Sequence, residues 1–364
     1  MDLFNERTTP KTEGIKYAGS KLKLLDSILQ VLSGIQFDSV LDGFSGTTRV
    51  SQMFAKLGHK VISNDISTWS RTFGQTYLIN KERPKHYSDL IAHLNSIKGY
   101  KGWFTEHYSS DDLKKKKSPF QSKNTEKLDA IRDEIDKLNL NEIEQSVALT
   151  SLIRALDSVD NTMGHYVAYL SEWSPRSYND LILKIPSVFE NKRDNLVVQS
   201  NILETINSFD VDLAYFDPPY GSNNEKMPPS RVRYNSYYHI WTTVIKNDKP
   251  EIFGAANRRY DSKDALSGSI FEEFRKDENG HYHALNAIRV LIQNTNAKYI
   301  LLSYSNGGRA TKEELFDILN SAGTILKIAE INYKKNVMAN MSWTNEWISK
   351  IDTNVEYLIL LERK

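Results

Sequence analysis

The sharpest chemical signal in the chain is Asp217-Pro218-Pro219-Tyr220, which closes the apolar run 212–216. Two successive prolines fix the backbone and remove two N–H donors, leaving carbonyls that only accept hydrogen bonds. A carboxylate beside such a carbonyl gives two acceptors aimed at one point, an arrangement suited to holding an amino group. Tyr220 adds a flat face on which a planar base can stack. Two more acids stand in comparable places. Asp42 ends the stretch 37–42 and opens Asp42-Gly43-Phe44-Ser45-Gly46, whose small residues let the backbone approach a ligand ahead of a helix N-terminus. Asp65 ends the stretch 60–65, about where nucleotide-binding folds place a ribose-binding acid.

Each of these has a plainer alternative. The glycine loop can be an ordinary strand-to-helix turn, and it lacks the G-x-G-x-x-G spacing of a dinucleotide site. Asp65 can cap a helix opening at Ile66-Ser67. Two weaker stretches accompany them. Lys16-Tyr17-Ala18-Gly19-Ser20-Lys21 is a Gly-Ser turn with basic residues, and Ser200-Asn201 follows an apolar triplet at 196–198. The latter can reach a ligand's base or simply turn the chain.

The elements that must position these residues follow from periodicity. An apolar strand over 37–42, a helical period at Val50, Phe54 and Leu57 closed by Gly58, and a strand over 60–65 make a βαβ unit of the nucleotide-binding kind. From 81 to 190 no strand alternation is evident. Helical segments at 125–138 and 142–156 alternate there with polar loops carrying Lys, Trp and Tyr, which predicts a mainly helical insertion. Strands return at 196–198, 212–217, 298–305, 325–333 and 355–361, with helices at 284–295 and 311–320. The predicted class is α/β, a Rossmann-like doubly wound sheet with an antiparallel end. Residues 1–80 and 191–364 would form the catalytic domain around the insertion 81–190.

Composition narrows the chemistry. Hydrophobic residues are 40% and charged residues 26% of 364, enough for a sizeable core. No apolar run approaches the roughly 20 residues of a membrane span, and the first residues lack a signal-peptide pattern, so a cytoplasmic protein is expected. With 47 basic and 46 acidic residues, any nucleic acid must be held by local basic patches. The chain has no cysteine. That excludes disulfides, thiolate metal sites and every mechanism with a cysteine nucleophile, including methylation at cytosine C5.

Taken in order, Lys16–Lys21, Asp42–Gly46, Asp65, an insertion and Asp217–Tyr220 resemble the Dam-like, alpha-ordered adenine-N6 DNA methyltransferases. The resemblance covers about 15–80 and 195–362, including Ser303-Tyr304-Ser305-Asn306 and the closing stretch Glu356-Tyr357-Leu358-Ile359. It implies S-adenosylmethionine as cofactor, a flipped adenine in double-stranded DNA as substrate, and a target-recognition domain at 81–190. Tyr17, Gly19, Ser20 and Lys21 match the stretch around the cofactor's methionine moiety. Asp42, Phe44, Ser45 and Gly46 match the main cofactor loop, with Asp42 meeting the ammonium group, and Asp65 matches the acid on the ribose hydroxyls. Asp217, Pro218, Pro219 and Tyr220 match the catalytic motif. Two departures stand out. Thr48 replaces a customary glycine, implying a slightly different loop path, and Asn201 stands where an aspartate often accepts from the cofactor adenine.

For DNA, Arg231 and Arg233 are candidate phosphate contacts beside the flipped base, in a loop that Tyr234–Trp241 would order. Arg154, His165, Trp173 and Arg176 are candidates in the insertion. Lys114–Lys117 is either a solvated loop or a phosphate contact. No metal is expected. A monomer is expected, bacterial or phage-encoded, with a possible companion restriction endonuclease. Methylation of cytosine N4, of RNA adenine N6 or of a glutamine amide would use a similar motif, and a nucleic-acid-binding protein of this fold without turnover is the non-enzymatic alternative. Asp217 and the motif order favour adenine.

Overall fold

Successive residues along a strand face opposite sides of its sheet, and the buried residues sort accordingly. Val40, Leu213, Tyr215, Leu301, Leu358 and Leu360 belong to one apolar cluster. Their neighbours Leu41, Ala214, Phe216, Ile300, Ile359 and Leu361 belong to a second. Both faces are therefore covered, as a mostly parallel sheet requires. The structure is a computed structural model that describes residues 8–221, 233–263, 266, 268–334 and 353–364.

The strands in chain order are β1 (Ser39–Asp42), β2 (Lys60–Asp65), β3 (Leu196–Gln199), β4 (Asp210–Phe216), β5 (Ile252–Phe253), β6 (Arg258–Arg259), β7 (Asn296–Ser305), β8 (Gly323–Lys334) and β9 (Thr353–Arg363). Seven form one sheet in the order β3-β2-β1-β4-β7-β9-β8, while β5 and β6 make a separate ribbon. Strands β3, β2, β1, β4 and β7 run parallel. Strand β9 enters antiparallel between β7 and β8. This is the doubly wound α/β sheet with an antiparallel end that the pattern predicts.

On the first face lie α1 (Leu25–Val31), α2 (Arg49–Lys56) and α3 (Thr68–Gly74). Helix α2 buries Val50, Met53 and Phe54, and Gly58 follows it with φ +93°, a conformation glycine adopts without penalty. The segment 81–190 contributes α4 (Ser88–Ser96), α5 (Trp103–Tyr108), α6 (Ser122–Lys137) and α7 (Glu142–Val159). A capping box fixes the start of α7: Asn141 accepts from the Glu144 backbone, and Glu144 accepts from the Asn141 backbone. Leu128, Ile131, Leu152 and Leu156 of the insertion join the same cluster as Trp69, Phe73 and Val40. The helical segment thus shares its core with one face of the sheet. Further along come α8 (Ile202–Thr205), α9 (Tyr234–Tyr237), α10 (His239–Lys246), α11 (His283–Asn294) and α12 (Lys312–Ala322). Helices α11 and α12 cover the second face. No helix among the described residues is long and apolar enough to cross a membrane.

Candidate active site

The chain winds outward from β1 to β2 and β3, then returns to β4 on the other side of β1, which makes β1/β4 the switch point of the sheet. Ligands of doubly wound folds bind beyond the strand ends there. Register brings the chemistry to one edge: Asp42 lies opposite Ser63 and Tyr215, and Asp65 opposite Gln199. Asp42, Asp65, Ser200 and Asp217 are therefore the last or next residues of four adjacent parallel strands. Two adjoining hollows open at this edge. The larger, about 290 Å³, is lined by Tyr17, Phe44, Asp65, Asn201, Asp217 and Pro219 among others. The smaller, about 30 Å³, includes Gly19, Ser20, Lys21, Asp42, Ser45 and Gly46 and again reaches Asp217. The lining of neither includes Pro218, which is buried, or Tyr220.

Asp42 is 1% exposed. Ser51 Oγ donates to its Oδ2 at 2.6 Å, while Oδ1 has no hydrogen-bond partner among the described residues. Burial pushes this carboxyl up to about 7, with the Ser51 bond opposing and Asp217 and Asp65 adding to the rise. A buried carboxylate oxygen without a partner costs free energy until a donor or cation meets it. Asp65 accepts from the Gly46 N–H through Oδ2 and from the Ser67 N–H through Oδ1, each at 2.8 Å. It therefore ties the glycine loop to the start of α3, and burial raises its carboxyl as well.

The loop between them depends on backbone freedom. Gly46 has φ +50°, and a Cβ there would stand 3.1 Å from the Tyr17 ring. Thr48 adopts φ +61°, so a threonine turns the chain in the left-handed region that glycine favours. It is held there by a 2.8 Å bond from Gln52 N to its carbonyl and a 3.1 Å bond from Gln52 Nε2 to its hydroxyl. Asn201 caps α8: its Oδ1 accepts from Leu203 N at 3.2 Å, and its Nδ2 donates to Glu204.

Asp217 sits in a buried polar cluster. Lys21 Nζ lies 2.9 Å from Asp217 Oδ1 and 2.9 Å from Glu356 Oε1. The Tyr220 hydroxyl lies between Asp217 Oδ1 and Glu356 Oε1 and also receives a bond from Lys21. Ser303 Oγ donates to Glu356 at 2.6 Å. Burial pushes the Asp217 carboxyl up, Lys21 opposes this, and Glu356 reinforces it. For Lys21, burial alone lowers the ammonium, but Asp217 and Glu356 outweigh it and hold it above its usual range. The Tyr220 ring packs edge-on against Tyr304 with centroids 4.9 Å apart.

An aromatic wall supports Tyr17. Its ring stacks on Tyr238 at 4.8 Å and on Tyr234 at 5.3 Å, with Trp241 behind. Tyr238 Oη accepts from Ala18 N at 2.6 Å. The stretch 234–241 therefore carries aromatic faces on α9 and α10 that hold the 17–19 segment in place.

Of the DNA candidates, Arg231 lies outside the described residues. Arg233 faces Glu272 at 3.5 Å beside the larger hollow. Two others engage the protein's own acceptors, Arg154 pairing with Glu13 at 2.5 Å and Arg176 pairing with Asp160 at 2.8 Å and donating to the Asp160 carbonyl, while His165 is buried against the Tyr237 ring. Burial lowers the His165 imidazole. Trp173 is half-buried, and Lys114–Lys117 are exposed. Among the described residues no cluster of His, Asp and Glu has the arrangement of a metal site. The resemblance covered the stretches containing Ser303 and Glu356 but gave neither residue a role. The available signal was an acid buried within the otherwise apolar stretch 355–361.

With this fold and edge in view, comparison with known proteins supplies the class. The chain belongs to the D12 class of N6 adenine-specific DNA methyltransferases, whose pattern matches residues 17–305. Its relatives include the modification methylase StsI of Streptococcus sanguinis, 30% identical over 91% of this chain and 50% of the relative. The type II methyltransferase M.FokI of Planomicrobium okeanokoites is 28% identical over 94% of the chain and 53% of the relative. The chain thus spans about half the length of these two. It spans 99% of the type II methyltransferase M.NlaIII of Neisseria lactamica, at 24% identity over 96% of this chain.

Proposed function

We propose that the protein transfers a methyl group from S-adenosylmethionine to the N6 amino group of an adenine flipped out of double-stranded DNA. The observation that carries this reading is the meeting of Asp42, Asp65 and Asp217 at one sheet edge, with the Asp217-Pro218-Pro219-Tyr220 turn at the switch point. The residues suit that cofactor. Lys21 already shares its charge between Asp217 and Glu356, and the carboxyls of Asp42 and Asp65 end neighbouring strands at the same edge, so the acids outnumber Lys21 and the site favours a cationic ligand. Asp42 Oδ1 is placed to take an ammonium group. Each Asp65 oxygen accepts one backbone N–H and keeps acceptor capacity for ribose hydroxyls. Phe44 and Tyr17 offer apolar faces, and Asn201 retains a carbonyl lone pair for a base amino group.

When bound, this cofactor supplies a methyl group already activated by a sulfonium. The chain's task is then to prepare the nucleophile. Adenine's amino nitrogen is a poor one because its lone pair is delocalised into the ring. Hydrogen bonds from its two protons to the Asp217 carboxylate and the Pro218 carbonyl draw it towards tetrahedral geometry and localise that lone pair. Lys21 and Tyr220 hold Asp217 through Oδ1, which leaves Oδ2 for the target. Flipping the base costs a few kcal/mol, offset in part by stacking on aromatic faces at the site.

The helical segment 81–190 is proposed to read the target sequence, and Arg233 to contact DNA once its pairing with Glu272 yields. A modification enzyme with a companion restriction endonuclease fits the names modification methylase and type II methyltransferase that relatives carry, and the protein is proposed to act as a monomer. Expression in a host lacking DNA methylation, followed by sequencing that detects modified bases, tests this reading. N6-methyladenine at one recurrent sequence is expected. Unmodified genomic DNA alongside well-folded protein would refute it.

A further inference from the structure

Glu356 is 5% exposed on β9, surrounded along its strand by Leu358, Ile359, Leu360 and Leu361, all fully buried. Burying a carboxylate costs several kcal/mol unless it is paired, and an apolar residue is usually the more stabilising choice. Lys21 alone would neutralise Asp217. Glu356 adds a second negative charge to a centre already holding Asp217, so stability alone does not account for it.

Its contacts do. Glu356 Oε1 accepts from Lys21 and Ser303 and contacts the Tyr220 hydroxyl, and those same two partners, Lys21 and Tyr220, are the groups that hold Asp217 Oδ1. Resting on the adenine-methylation reading, we propose that Glu356 is a positioning residue for methyl transfer, clamping Lys21 and Tyr220 so that one Asp217 oxygen is fixed and the other is presented to the target amino group. Strand β9 lies two strands from β4, so the clamp ties the closing antiparallel strand to the catalytic turn.

The charges around Asp217 make this testable through pH. Lys21 comes from the N-terminal segment, Glu356 from β9 and Asp42 from β1, while Tyr17, Tyr215, Tyr220 and Tyr234 also face the carboxyl. Transfer requires Asp217 ionised, so its titration sets the acid limb of kcat against pH. Glu356→Gln keeps the shape but removes the like charge, which makes Asp217 easier to ionise. The acid limb is expected to move about one pH unit lower, while kcat at the plateau falls between about tenfold and a hundredfold because the clamp loosens. KM for S-adenosylmethionine stays within about twofold, since a residue acting on positioning alone leaves uniform binding intact. Lys21→Met removes the opposite charge and is expected to move the limb the other way, to higher pH.

Ser303→Ala changes no charge but removes a donor to Glu356; loss of that one bond lowers kcat about fivefold with the limb unmoved. It decides the matter if Glu356→Gln does not fold. An acid limb unmoved or raised in Glu356→Gln, or an unchanged kcat in Ser303→Ala, overturns the clamp while leaving the adenine-methylation reading standing. Wild-type protein that methylates no DNA sinks both.

Discussion

Asparagine at position 42 is expected to stabilise the ligand-free protein at neutral pH while disabling it for cofactor. The buried carboxyl is pushed up to about 7 from an ordinary 3.8, mainly by burial. The sign follows from proton linkage. The folded state holds the Asp42 proton more tightly than the unfolded chain, so this residue's contribution is greatest below about pH 4 and is lost as pH rises through about 7. The full difference corresponds to at most about 4 kcal/mol. Weakening of the charge-assisted bond from Ser51 subtracts about 1–2 kcal/mol. A net gain of about 2 kcal/mol at pH 8 remains for Asp42→Asn. With an unfolding entropy of ~2.1 cal/mol/K per residue, that raises Tm by about 3 °C.

The assay is thermal unfolding of wild type and Asp42→Asn at pH 4.5 and pH 8, paired with calorimetric titration of S-adenosylmethionine. The stability gain is expected at pH 8 and largely absent at pH 4.5. Cofactor affinity is expected to drop about tenfold to a hundredfold, the worth of one charged hydrogen bond. A variant less stable than wild type at pH 8, or a gain of equal size at both pH values, would refute the electrostatic reasoning. Unchanged cofactor affinity would refute the assignment of Oδ1 to an ammonium group.

Gly46→Ala places a Cβ against Tyr17 in a left-handed backbone conformation. It is expected to cost about 1–2 kcal/mol and to weaken cofactor binding, read by denaturant unfolding and titration. Arg176→Ala removes one partner of the buried Asp160, leaving it Lys16 and Thr162, and burial already pushes this carboxyl up to about 6. It is expected to lower stability by about 1–3 kcal/mol with little change in the salt dependence of DNA binding. A salt slope reduced by about one would instead make Arg176 a phosphate contact.

Much of the fold was legible because parallel strands buried on both faces leave continuous apolar runs. The runs ending at Asp42, Asp65 and Asp217 became β1, β2 and β4, and Gly58 closed α2 as its position suggested. The helices at 283–294 and 312–322 appeared within one or two residues of expectation, the latter fixed by a Thr311–Glu314 capping box. What was not legible depends on long-range pairing. Glu356 joins Lys21 across 335 positions, and only the insertion of β9 between β7 and β8 brings them together. Arg154 and Arg176 read as recognition candidates because sequence does not reveal their pairing with Glu13 and Asp160. The aromatic stretch 234–241 was visible, but its role as a wall behind Tyr17 required the fold.

The most direct test of the central claim is to incubate wild type and Asp217→Ala with methyl-labelled S-adenosylmethionine and unmethylated plasmid, digest the DNA and identify the labelled nucleoside. Lys21 keeps Glu356 as a partner in the variant, so folding and cofactor binding are expected to survive. Label is expected in N6-methyl-2′-deoxyadenosine for the wild type and nowhere for the variant. Label in N4-methyl-2′-deoxycytidine, absence of label from wild-type DNA, or transfer that persists without Asp217 would contradict the account.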